Sequence, residues 1–199
     1  MLRWIRILYT LFLCVLIPVY LHHYPLANFL WFSDIALLTA AAALWLQSSL
    51  LASMMALSVL LPELIWNISF FTRLIFGIDL FGMTAYMFDP HRPLYLRALS
   101  LFHVALPVLL LWMLHRFGYH RRAWFPQIIL AWLVLPISYV FTTTAANINW
   151  VLGPAAKPQH RLPPLIYLAL EMILIPILIY IPTHLILART FHKPNHSPV

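Results

Sequence analysis

His103 is the residue of this 199-residue chain whose type and position most invite chemistry. It lies in the stretch from Arg97 to Pro107, which opens a long apolar segment and carries Ser100 three residues earlier. On a helix, residues three apart share one face, so a hydroxyl and an imidazole stand together there. An ionisable side chain at bilayer depth is costly and marks a functional site by default. A nucleophile–base–orienter arrangement needs a hydroxyl, an imidazole and a carboxylate that fixes the imidazole. His103 is the candidate base, and Asp34 or Glu171 the candidate orienter. Ser33, Ser100 or a threonine from 142–144 would be the nucleophile. Ser100 also has a structural reading, a hydroxyl bonded back to its own helix backbone.

Other chemistries find little support. There is no G-x-S-x-G elbow, no H-E-x-x-H, no P-loop and no G-x-G-x-x-G. The ten histidines invite a metal or haem, but His22 and His23 close one span while His115 and His120 sit on the opposite side of the bilayer. No two inward-facing histidines share a depth, as bis-histidine haem would need. Neither a cofactor nor a metal is expected. The single Cys14 excludes a disulfide framework and a CxxC site.

These residues must be positioned by membrane helices. The chain is 63% hydrophobic and 9% charged, with a mean hydropathy of +0.88. A soluble domain carries roughly a quarter charged residues. The net charge of +7 sits at span ends and not in a patch, which speaks for topology and against nucleic acid. The expectation is an all-α, polytopic transmembrane bundle forming a single domain over 1–199. There is room for about six spans of roughly 20 residues each.

In chain order the spans are 4–21, 28–47, about 50–66, 94–114, 123–142 and 164–187. Arg3 and Arg6 ahead of the first, with no A-x-A-like cleavage site after it, predict an uncleaved span. Gln47-Ser-Ser predicts a tight turn. Pro18, Pro62, Pro107, Pro136 and Pro176 fall inside five spans and free backbone carbonyls that neighbours must satisfy. Residues 72–88, with Arg73, Gly77, Asp79 and Gly82, are too broken for a clear span. If they do not cross, seven basic residues (Arg3, Arg6, Arg116, Arg121, Arg122, Arg189, Lys193) lie inside. Five (Arg73, Arg92, Arg97, Lys157, Arg161) then lie outside; a seventh span makes it six against six. The positive-inside rule therefore favours six spans, 72–88 being re-entrant or interfacial, and both termini cytoplasmic. The tail 188–199 reads as a short polar, disordered end.

Under that topology the polar groups collect in one leaflet. Asp34 lies about 9 Å into the second span. Glu63 lies near the outer end of the third, and His103 and Glu171 several residues into the fourth and sixth. Asp79 lies within 72–88 and Asp89 follows it, so all five acidic residues fall in or beyond the outer half. Ser138, Tyr139 and Thr142 to Thr144 add to them. An outward-opening polar cavity would produce this pattern. The loop 143–163 contains Asn147-Ile-Asn149-Trp150 and the turn Gly153-Pro154. It reads as a lid over the cavity, or as a loop anchored at the interface by Trp150.

Three motifs carry a family resemblance: Asn28-Phe-Leu-Trp-Phe-Ser-Asp34, Ser100-Leu-Phe-His103 with Leu106-Pro107, and Asn147-Ile-Asn-Trp-Val-Leu-Gly-Pro154. They look like an uncharacterised family of small bacterial integral membrane proteins, which implies the bacterial inner membrane. More remotely, their order is similar to the androgen-induced and androgen-dependent membrane hydrolases, multi-span enzymes that cleave fatty-acid esters of hydroxy fatty acids with an intramembrane threonine and histidine. The resemblance puts the histidine on His103 and the aspartate on Asp34. The threonine position is held by Trp31, and Ser33 lies two residues on, about 200° around a helix.

The leading expectation is a lipid-active hydrolase or acyltransferase. His103 would be the base and Asp34 its partner, Ser33 or Ser100 the hydroxyl, and Asn147 and Asn149 the hydrogen-bond donors to substrate or oxyanion. Trp150, Glu63 and Glu171 complete the expected binding residues, and the partner is a membrane lipid. The alternative is a non-enzymatic transport or binding protein with Asp34, Glu63 and Glu171 as a proton or solute site; the absence of an internal repeat counts against it. A passive scaffold is the third reading.

Overall fold

The computed structural model describes residues 2–80, 82–154 and 158–191. Among them every regular element is helical and there is no strand. Helix α1 spans Leu2–His23, α2 Phe32–Leu46 and α3 Ser49–Phe76. A 24-residue apolar helix, Leu94–Phe117, is broken into α4 (Leu94–Leu99) and α5 (Phe102–Phe117). Helix α6 covers Trp124–Phe141, and α7 (Pro164–Ile175) continues through a π-helical turn, Pro176–Tyr180, into α8 (Ile181–Thr190). Five of these units are long and apolar enough to cross a membrane; α2, with 15 residues, is shorter. Residues 155–157 and 192–199, including Lys157, Lys193 and most of the expected disordered tail, lie outside the described residues.

Small residues decide the centre of the bundle. Ala36, Ala40 and Ala43 on α2, and Ala52, Ser53 and Ala56 on α3, are completely buried. Their spacing puts each set on one helix face, and short side chains let the two backbones approach closely. α2 accordingly packs along α3, and α3 packs in turn along α5. Leu106, Leu110 and Met113 of α5 join Met55 and Val59 of α3 in the same core. The turn between α2 and α3 forms as the sequence predicts. Gln47 takes a left-handed conformation with φ 51°, and the Ser48 hydroxyl caps α3 by accepting from the Leu51 N–H at 3.2 Å.

Helix α3 is longer than expected, running ten residues past Trp66 to Phe76, about 42 Å in all. It stops at Gly77, whose φ of 71° provides a left-handed cap. The chain then folds back on α3. The Ser69 hydroxyl donates to the Leu80 carbonyl at 2.6 Å, and Arg73 pairs with Asp79 at 2.8 Å. Beyond Gly77 the only helical piece before Pro93 is a 3-10 turn, Ala85–Phe88, so the described residues of 72–88 form no seventh crossing helix.

Two of the intrahelical prolines have a substitute donor at the carbonyl they free. Pro176 has no N–H to offer the Met172 carbonyl, and Trp132 of α6 donates its indole N–H there at 2.9 Å. The same residue initiates the π-helical turn. Pro107 acts likewise at His103.

Candidate functional site: a glutamate–histidine pair in a polar cavity

Pro107 leaves the His103 carbonyl without its usual helical donor. Asn67 of α3 fills the vacancy, its amide nitrogen donating to the His103 carbonyl at 2.8 Å and to its own Glu63 carbonyl at 2.8 Å. One side chain thereby fixes α3 against α5 at the level of Glu63 and His103. Asn67 lies just past the expected end of its span, and sequence reading passed over it. The available signal was Pro107 four residues after His103, which demands a foreign donor.

At that level the His103 Nδ1 lies 2.9 Å from both carboxylate oxygens of Glu63. The Glu63 side chain is 3% exposed and that of His103 15%, so the pair is removed from bulk water while the imidazole keeps an open edge. With the carboxylate ionised, Nδ1–H donates and Nε2 is left as the acceptor. No described residue hydrogen-bonds to Nε2. The ring is clamped between Trp66, stacked at 4.6 Å between centroids, and Phe102 at 4.1 Å.

The carboxylate beside the His103 imidazole is therefore Glu63, where the sequence reading favoured Asp34 or Glu171 and gave Glu63 a binding role. Packing of α3 on α5 decides this, since the two residues are 40 apart in sequence and meet only through the fold. Glu171 is not part of the site. It lies on α7 beside Tyr167 and Tyr180, with one carboxylate oxygen buried and unpartnered. Similar depth put it in the expected cluster; its helix face takes it elsewhere.

His103 lines a cavity of about 880 Å³ whose walls come from α1, α2, α3, α5, the 82–92 segment and the 145–150 loop. Asp34, Ser33 and Trp31 enter from the start of α2. Asp34 is buried; Asn28 donates to one of its oxygens at 3.3 Å, and the other has no partner. Its place in the first turn of α2 suits a negative charge. The Ser33 hydroxyl makes no hydrogen bond with any described residue. Ser100 follows its structural reading, donating to the Leu96 carbonyl at 3.1 Å and lying 3.2 Å from the Tyr20 hydroxyl. Tyr86, another residue that sequence reading missed, also lines the cavity near Ser100 and Trp66. Burial, reinforced by Tyr20 and Glu63, pushes its phenol well above the ordinary value, so it keeps its proton.

The loop residues hold the cavity's roof together. Asn149 donates to the Leu30 carbonyl at 2.8 Å and to Ser138 Oγ at 2.9 Å, and accepts from the Phe32 N–H at 3.0 Å. It thus caps α2 from 117 residues away. Asn147 donates to the Gly153 carbonyl and accepts from the Leu152 N–H, at 2.8 and 2.9 Å. Both amides, expected to face substrate, are committed to the protein. Asn147, Asn149 and Trp150 all take positive φ, of 38°, 53° and 64°. For a tryptophan that conformation is unusual, and these bonds hold it. Trp150 lines the cavity.

Among the described residues no group of three histidine, cysteine or acidic side chains could hold a metal ion. Fold and site together define a helical membrane protein with a buried glutamate–histidine pair facing a polar cavity. No family model, no curated protein and no solved structure matches the chain.

Proposed function

We propose that this protein is an intramembrane acyl-transfer enzyme, a hydrolase or acyltransferase, acting on a lipid ester. The observation that carries the reading is the Glu63–His103 pair with its Nε2 free at the cavity wall. In this reaction Nε2 takes the proton of an attacking O–H as that oxygen bonds to the ester carbonyl carbon. Glu63 stabilises the resulting imidazolium, which returns the proton to the departing alkoxide. The attacking hydroxyl is that of water or an acceptor lipid, or of Ser33, whose hydroxyl no described residue holds. An acyl group on Ser33 is then released when water or the acceptor alcohol, deprotonated by Nε2, displaces the Ser33 oxygen, which takes the proton back. Tyr86, kept protonated, is the candidate donor to the developing oxyanion. The resemblance to the membrane hydrolases of fatty-acid esters agrees in its histidine and departs at Trp31.

The test is lipid turnover by the purified protein in vesicles of defined acyl esters, followed by mass spectrometry. His103→Ala is expected to reduce turnover by about 10²–10⁴-fold. Equal lipid profiles for wild type and His103→Ala would overturn the reading.

One observation favours a second reading, proton-coupled solute binding: the unpartnered oxygen of buried Asp34 beside the pair. It predicts proton uptake by vesicles that is lost in both Asp34→Asn and Glu63→Gln. The enzyme reading predicts no such uptake.

A further inference from the structure

α1 packs chiefly on α2. Between α1 and the α4–α5 helix runs an open apolar groove of about 470 Å³, separate from the polar cavity. Ile5, Leu8 and Phe12 form one wall, and Ala98, Ala105 and Leu109 belong to the other. Tyr9 lines it too, but its hydroxyl donates to the Leu37 carbonyl at 2.8 Å, which leaves no free polar group from that side chain. Both flanking helices are long and apolar enough to cross the bilayer, so the medium beside the groove is hydrocarbon.

Phe102 lines both the groove and the polar cavity. Its ring lies 4.1 Å from the His103 ring, centroid to centroid, so one aromatic side chain touches both the groove and the imidazole. The helix is broken at this point. Ser100 and Leu101 lie between α4 and α5, and the His103 N–H bonds Ser100 three residues back instead of Leu99. Ala98 and Ala105, on either side of the break, are exposed and present only a methyl group to the groove.

We infer that the groove between α1 and α4–α5 binds the acyl chain of the substrate lipid, with Phe102 as the partition at which chain meets ester. The inference rests on the acyl-transfer reading and names its substrate as a lipid whose chain enters sideways from the bilayer. The ester then sits on the polar side of Phe102, against His103, and the remainder of the molecule occupies the larger cavity.

The experiment uses the full chain in phosphatidylcholine vesicles containing a diazirine-bearing palmitate ester. After illumination, peptide mass spectrometry reads the labelled residues without requiring turnover. Labelling is expected to concentrate on 5–12 and 98–109. Ala105→Phe is expected to lower it about tenfold there, the effect of excluding roughly two methylenes from the groove. Ala98→Leu should act in the same direction. Val108→Phe, on the same helix but exposed outside the groove, should leave labelling unchanged. His103→Ala should reduce turnover by the same factor of about 10²–10⁴ and leave labelling intact, which separates failure of the groove from failure of the enzyme. Labelling spread evenly over all apolar helices, or unaffected by both alanine substitutions, would overturn the inference.

Discussion

The side-chain nitrogen of Asn67 is hydrogen-bonded to the carbonyl oxygens of both Glu63 and His103, each at 2.8 Å. Because Pro107 removed the ordinary donor to the second, the proline and the asparagine form a matched pair on different helices. Asn67→Leu is expected to destabilise the protein by about 1–3 kcal/mol, the cost of an unsatisfied buried carbonyl. Adding Pro107→Ala restores a helical N–H and should recover much of that loss. Thermal unfolding in detergent, run as a double-mutant cycle, checks this; additive effects would refute the pairing.

Asn149 is expected to behave as a structural clamp. Asn149→Ala removes its three bonds to Phe32, Leu30 and Ser138 and should cost on the order of 2 kcal/mol or more. Hydrogen exchange should accelerate over 145–153 and at the start of α2, and remain unchanged in α8. Slow exchange at both sites in the variant would show that the loop is held by something else.

Glu171 and Asp34 should separate cleanly. Glu171→Leu removes a carboxylate whose buried oxygen has no partner, and should leave stability unchanged or raise it by about 1 kcal/mol. Lipid turnover should not fall. Asp34→Leu, at the cavity wall, should reduce turnover while the protein remains folded. A Glu171→Leu protein without turnover would place α7 in the site after all.

The contrast between these two acids shows how far the sequence could be read. Composition points to a membrane protein, since an ordinary soluble domain carries roughly a quarter charged residues against 9% here. His103 stands out because an imidazole at bilayer depth needs a reason. Depth along a span follows from counting residues, whereas the partner depends on how each helix is rotated. Glu63 and Glu171 share a leaflet in the count, yet only Glu63 faces α5. The two asparagines were legible as important, but their bonds within the protein were not: an amide that braces a loop and one that binds substrate have the same sequence signature. The extension of α3 to Phe76 was missed because Asn67 and Arg73 interrupt the apolar run; Asn67 turns inward to His103, and Arg73 is drawn to Asp79 and lies over the Phe88 ring.

Glu63 should matter to both fold and reaction. Glu63→Ala strands the Nδ1 of a largely buried imidazole, and a broken buried pair costs about 3–5 kcal/mol when both partners are charged. Glu63→Gln preserves shape and one acceptor oxygen. Its unfolding temperature should stay nearer wild type while turnover falls about 10²-fold or more, since the imidazolium loses its counter-charge. Equal turnover for Glu63→Gln and wild type would remove Glu63 from the chemistry.

The proposed chemistry requires Glu63 to hold the Nδ1 proton of His103 and leave Nε2 bare toward the cavity. Nitrogen NMR of the histidine-labelled protein, with the His103 signal assigned by its loss in His103→Ala, reads this directly at mildly alkaline pH. A protonated Nδ1 and an unprotonated Nε2 are expected, with this preference lost in Glu63→Leu. A neutral ring protonated at Nε2 in the wild type would contradict the proposed chemistry, because such a ring presents no base to a substrate.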